Sequence, residues 1–124
     1  MNSPTAQKNQ RFFTRLSYAA AGIRHGLRSE RSLRTQTLAL IPVAAALLIL
    51  RPAPLWWALV IVVSATVLAA ELFNTALEQL ADHLHPQLHP QIRIVKDCAA
   101  AGVLVIVLGA LGVAAALAAE LLSR

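Results

Sequence analysis

Four polar residues, Glu71, Asn74, Glu78 and Asp82, follow directly on an uncharged stretch of sixteen residues, 55–70. At about 100° per residue, their offsets of 0, 3, 7 and 11 place them within one narrow arc of a helix. Carboxylates a couple of helical turns apart, joined by a third from a neighbouring element, suit ligation of a divalent cation by hard oxygen donors. Of the six acidic residues in the chain, five (Glu30, Glu71, Glu78, Asp82 and Asp97) can approach one place, together with Asn74 and Lys96. Bound Mg2+ commonly brings phosphate with it, and Lys96 and the N-terminal arginines supply countercharge. An ionisable group at the edge of a long apolar run marks a functional site by default. The pattern points to phosphate chemistry at a membrane surface. The chain has neither G-x-x-x-x-G-K-[ST] nor G-x-G-x-x-G, so such chemistry would need an architecture other than that of the soluble kinases.

The elements that position these residues follow from composition and patterning. The chain has 124 residues, 57% of them apolar and only 14% charged, which predicts a single all-α domain, residues 1–124, embedded in a membrane. Net charge is +5, and seven of the eleven Lys and Arg residues (Lys8, Arg11, Arg15, Arg24, Arg28, Arg31 and Arg34) precede the first long apolar run. That asymmetry predicts a cytoplasmic N-terminus facing anionic lipid. Nucleic acid is not expected as a partner, since basic residues are not interleaved with aromatics and no binding motif is present. The single cysteine, Cys98, excludes an internal disulfide and reads as a small packing residue. No cleavable signal peptide is expected, because the first long apolar run starts only near Leu38.

Residues 11–34 read as an amphipathic surface helix, with Phe12, Leu16, Ala20, Ile23 and Leu27 on one face and Arg24, Arg28 and Arg31 on another. Gly22 and Gly26 point to a bend or a close approach within it. Three membrane-spanning helices are predicted at 35–50, 55–85 and 91–122. The first is short and contains Pro42, a candidate kink. Arg51-Pro52-Ala53-Pro54 closes a helical hairpin, with Trp56 and Trp57 as an interfacial anchor on the far side. His83, His85 and His89 fall in a Pro-punctuated stretch that reads as a solvated loop rather than a regular ligand face. Gly102 and Gly109, seven apart among alanines, supply a face for close helix approach, within the bundle or between subunits.

On the residues alone other readings stay open. Glu71 can serve a structural ion pair with an arginine of another helix, Glu78 and Asp82 can be a solvated helix face, and Lys96-Asp97 can be an ordinary helix-start pair. The whole stripe can belong to a non-enzymatic membrane assembly subunit.

The runs Ala70-Glu71-Leu72-Phe73-Asn74-Thr75-Ala76-Leu77-Glu78, then Asp82, then Ile94-Val95-Lys96-Asp97-Cys98-Ala99-Ala100 are accompanied upstream by Ala21-Gly22-Ile23-Arg24 and Glu30-Arg31-Ser32-Leu33-Arg34. Together they resemble the prokaryotic diacylglycerol kinase family, small integral-membrane lipid kinases that include the undecaprenol kinases. The resemblance covers residues 11–122 and implies a homotrimer in the bacterial inner membrane. It implies transfer of the γ-phosphoryl group of Mg-ATP to diacylglycerol, giving phosphatidic acid, with undecaprenol as the alternative acceptor. Carried over by position, Glu71 resembles the base that takes the lipid hydroxyl proton, and Asn74 the residue that orients it or the phosphoryl group. Glu30 and Glu78 resemble the ligands of Mg2+ and, through it, of the nucleotide. Lys96, Asp97, Arg11, Tyr18 and His89 resemble nucleotide-binding positions, and Arg34 lies where the lipid would approach. Thr35-Gln36 departs from the Gln-Glu pair of diacylglycerol-specific enterobacterial members, and His89-Pro90 with Lys96-Asp97-Cys98-Ala99-Ala100 looks closer to the undecaprenol kinases.

Overall fold

The computed structural model describes residues 12–124. Four helices follow one another: α1 (Phe12–Ser29), α2 (Arg31–Leu50), α3 (Pro54–Leu84) and α4 (Pro90–Leu122). The last three are each long and apolar enough to cross a membrane, and no strand occurs among the described residues. This is the expected all-α membrane architecture, with a helix rich in arginine preceding three spans. Arg11 lies outside the described residues.

Two boundaries differ from the sequence reading in instructive ways. The helix expected over 11–34 is divided at Glu30, whose backbone is extended (φ −107°, ψ 119°), so α2 begins at Arg31. Neither Gly nor Pro stands at 29–31 to announce the break. Its cause is tertiary: Gly26 is buried where α1 meets α2 and α3, and the extended residue turns the chain so that both contacts can form. The Arg34 guanidinium then donates to the Leu27 carbonyl at 3.1 Å and the Arg28 carbonyl at 2.8 Å. It thereby satisfies acceptors that the end of α1 leaves without helical partners. The earlier start gives α2 20 residues, which at 1.5 Å per residue is about 30 Å, a full hydrocarbon thickness. Pro42 lies inside α2, which remains helical through it.

At the hairpin, Arg51 adopts a left-handed conformation (φ 45°) and its N–H closes onto the Leu47 carbonyl at 3.0 Å. A residue before proline is disfavoured in the right-handed helical region, and Pro52 therefore ends α2 here. Pro54 opens α3 at a position where its missing N–H costs nothing. α3 has 31 residues, about 46 Å at 1.5 Å each, so it exceeds the hydrocarbon by several turns. Its second half carries the polar stripe.

α3 and α4 pair antiparallel and are tied at both ends. The Trp56 indole donates to Glu120, which also pairs with Arg124 at 2.5 Å, and at the other end Lys96 meets Asp82 at 2.5 Å. α2 packs on α3 and not on α4. An apolar cleft of about 460 Å³, lined by Val43, Leu47, Val60, Ala110, Ala114 and neighbouring residues, is left between α2 and α4. In no span is more than 11% of the most apolar stretch buried. The three spans thus direct most of their apolar surface outward. α1 likewise exposes Phe12, Phe13, Leu16 and Ile23, as a helix lying in a membrane interface does.

The two glycines of α1 part company. A Cβ on Gly22 would meet nothing within 4 Å, whereas one on Gly26 would come 2.8 Å from Leu33 Cδ2 and 2.9 Å from Leu72 Cδ2. Alanine in place of glycine favours a helix by about 1 kcal/mol, and overpacking a fitted contact costs about 1–3 kcal/mol. Gly22→Ala is therefore expected to raise the thermal unfolding midpoint in detergent. Gly26→Ala is expected to give no gain or a loss, and Gly26→Val a clear loss, all measurable by circular dichroism melts.

Candidate active site

Glu71 and Thr75 are the two buried polar residues among the described residues. Glu71 is 6% exposed, on the α3 face that meets the start of α2. Two side chains one turn apart on α2 reach it: the Ser32 hydroxyl donates to Oε2 at 3.0 Å, and Gln36 Nε2 donates to Oε1 at 2.6 Å. Thr75, 5% exposed, returns its hydroxyl to the Glu71 backbone carbonyl at 2.9 Å. Among the described residues no cationic side chain lies within ion-pair distance of Glu71. The structural ion pair left open by the sequence is therefore not formed there, and two neutral donors hold the carboxylate.

Two carboxamides in this region share a pattern. Gln36 gives its nitrogen to Glu71, and Asn74 Nδ2 donates to Glu78 Oε1 at 3.1 Å, while Gln36 Oε1 and Asn74 Oδ1 are buried without hydrogen-bond partners. An unpaired buried carbonyl costs about 1–3 kcal/mol, comparable with what a hydrogen bond to a charged group contributes. Flipping either amide would set an oxygen against a carboxylate oxygen. The carboxylates therefore dictate the amide orientation, and each amide keeps a buried acceptor that nothing among the described residues engages.

The remaining candidates separate into local pairs rather than gathering at one place. Lys96 is engaged by Asp82, and Asp97 faces Arg93 at 3.8 Å on an exposed surface. Glu30 is the N-cap of α2, yet its side chain makes no capping bond. His89 is the N-cap of α4, its Nδ1 accepting from the Gln91 backbone N–H at 3.2 Å, and its ring lies 5.0 Å from that of His85. Tyr18 is exposed on α1. Arg34 is committed to the α1 carbonyls. Cys98 is exposed rather than packed, on the rim of a cleft of about 320 Å³ between α3 and α4 that also reaches Asn74. Among the described residues no three His, Cys, Asp or Glu side chains converge as a metal-binding group. Among the described residues the expected gathering of five carboxylates is thus not met, and Asp82 and Asp97 instead face the basic partners Lys96 and Arg93.

Sequence reasoning missed Ser32 and Gln36 as partners of Glu71. The available signal was weak: two hydrogen-bonding side chains four apart at the start of an otherwise apolar span.

A helical protein with three membrane-length spans, and a buried carboxylate set where a polar stripe meets an apolar run, is the class this geometry defines. Residues 17–118 match the family model of prokaryotic diacylglycerol kinase, and the chain belongs to that family. A protein of Synechocystis sp. named diacylglycerol kinase is 34% identical over 94 residues, which are 75% of this chain and 54% of that protein. The chain thus spans about half the length of the curated relative it matches. No solved structure matches it. The protein is a multi-pass membrane protein of a lipid-kinase family.

Proposed function

We propose that this chain is an ATP-dependent lipid kinase that transfers the γ-phosphoryl group of Mg-ATP to diacylglycerol, giving phosphatidic acid. The observation that carries the reading is Glu71, a buried carboxylate held by two neutral donors at the edge of an uncharged run, with no cationic partner among the described residues. The family match and the name of the Synechocystis relative support the acceptor class.

In this mechanism Glu71 takes the proton of the lipid hydroxyl. The hydroxyl oxygen forms a bond to the γ-phosphorus as the bond from that phosphorus to the bridging oxygen breaks, and ADP departs. Placing the base at the polar edge of a span matches an acceptor whose hydroxyl rides at the membrane surface while its chains stay in hydrocarbon. Glu78 and Asn74, two oxygen donors with Asn74 Oδ1 buried and unpaired, fit Mg2+, with Glu30 as a further carboxylate. When bound, the ion neutralises phosphate charge and polarises the transferred group. Lys96 and Asp97 stand near the same end of the bundle for nucleotide contacts, with Arg11, Tyr18 and His89 as further candidates. Arg34 shapes the lipid approach by fixing the end of α1.

The reading includes assembly as a homotrimer, supported by the outward-facing apolar spans and by Gly102 and Gly109, neither of which has a neighbour near its Cβ position in the protomer. It also includes residence in the bacterial inner membrane with a cytoplasmic N-terminus, supported by the basic residues before the first span.

The test is phosphate transfer by the purified full chain in lipid vesicles, with Mg-ATP and either diacylglycerol or undecaprenol. Transfer to diacylglycerol at the higher kcat/KM is expected. Preference for undecaprenol would keep the chemistry and change the acceptor, and no transfer to either lipid would overturn the kinase reading.

A further inference from the structure

Ser32 and Gln36 stand outside the proposed chemistry, yet both side chains are spent on Glu71. Each carboxylate oxygen receives one donor, Oε2 from Ser32 at 3.0 Å and Oε1 from Gln36 at 2.6 Å. A carboxylate accepts about four hydrogen bonds in all, so lone pairs remain for a substrate hydroxyl. Two donors from one face of α2 leave little freedom to either torsion that carries the carboxylate, and the direction of those free lone pairs is then set by α2. The Gln36 amide keeps this orientation although its Oε1 is left buried and unpaired. The contact with Glu71 therefore prevails over the amide's own satisfaction.

We propose that Ser32 and Gln36 are positioning residues that aim the Glu71 carboxylate at the acceptor hydroxyl, Gln36 being the stronger of the two. The assignment rests on the reading of Glu71 as the base. Ser32, Gln36 and Thr75 are the polar groups that meet Glu71, and no ion pair reaches it from another helix among the described residues.

The experiment compares wild type with Gln36→Leu, Gln36→Glu, Ser32→Ala and Glu71→Gln. All are full-length proteins in vesicles, assayed with Mg-ATP and the better lipid acceptor, kcat and KM being measured for each. Because misplacing a reacting group by about 1 Å can cost about 100-fold, Gln36→Leu is expected to lower kcat about 10- to 100-fold. Its KM for Mg-ATP should stay within about twofold, since it touches no nucleotide group. Ser32→Ala, which loses the longer of the two bonds, is expected to lower kcat about three- to tenfold by the same reasoning.

The split between kcat and KM supplies the readout that a packing role would not move. Gln36→Glu keeps the length of the side chain and removes the amide donor, so it is expected to lower kcat about 10- to 100-fold with KM for Mg-ATP within about twofold. A kcat within twofold of wild type for both Gln36→Leu and Gln36→Glu would overturn the assignment. If those results came with an inactive Glu71→Gln, the base would stand and only the positioning role would fall. A Glu71→Gln variant that keeps its rate would instead remove the base itself. Should Gln36→Leu fail to fold, the exposed Ser32 and the near-isosteric Gln36→Glu still decide the matter.

Discussion

Glu71→Gln is expected to lower kcat for lipid phosphorylation by about 10²- to 10⁴-fold, the range that a positioned general base contributes, while the protein still folds. The substitution keeps size and shape and removes the group that accepts the proton. Folding should survive for a reason visible in the structure. A glutamine amide at 71 would present one oxygen and one nitrogen to Ser32 and Gln36, and Gln36 can turn over to offer its otherwise unpaired Oε1 to the new N–H. Ser32 meanwhile can donate to the new carbonyl. Loss of rate with unchanged melting in circular dichroism, and with KM for Mg-ATP within about twofold, would place the effect in the proton-transfer step. Glu71→Leu offers no such accommodation. It leaves two donors facing an apolar side chain, at about 1–3 kcal/mol for each one that stays buried and unpaired, and should lower the melting midpoint as well as the rate.

Glu78→Gln is the second large expected effect, and it should differ in kind. The side chain lies two turns further along α3, with Asn74 donating to Oε1 at 3.1 Å. Removing its charge takes away a hard anionic donor, so kcat/KM for Mg-ATP is expected to fall about 10²-fold or more, the scale of losing one group that stabilises transferring charge. The loss should shrink as Mg2+ is raised, because a weakened site fills again by mass action. Asn74→Leu should act more gently, about 10- to 100-fold, the range found when a group that supports a ligand is removed. Titrating activity against Mg2+ at fixed ATP separates this behaviour from that of Glu71→Gln, whose deficit should not respond to the metal. If Glu78→Gln has the Mg2+ dependence of wild type, Glu78 is not the ligand.

These two expectations assign different steps to residues on one stripe of α3, and that stripe was legible without coordinates. The uncharged run of 55–70 and the offsets of Glu71, Asn74, Glu78 and Asp82 are local properties of the chain, and an α-helix converts them directly into a face. The contacts of the same residues were not legible. Ser32 and Gln36 stand 39 and 35 positions from Glu71, and nothing in their immediate neighbourhood says which helix they will meet. By spacing Asp82 and Asp97 could approach the same place as Glu71 and Glu78, and the structure sets a basic partner beside each, Lys96 and Arg93. Spacing reports which residues share a face and is silent on the face opposite.

By itself the sequence determined the membrane class, the three spans, the Pro-rich hairpin and the placement of the polar stripe. Each of these depends on runs of apolar residues, on a helical period, or on proline chemistry within a few positions. Tertiary structure alone decided the break at Glu30, the use of Arg34 to close α1, and the two-donor hold on Glu71. All three follow from the docking of α1 and α2 against α3 around Gly26, where the absence of a side chain lets Leu33 and Leu72 approach the backbone. A close approach of that kind is a property of three helices at once, and no single stretch of sequence encodes it.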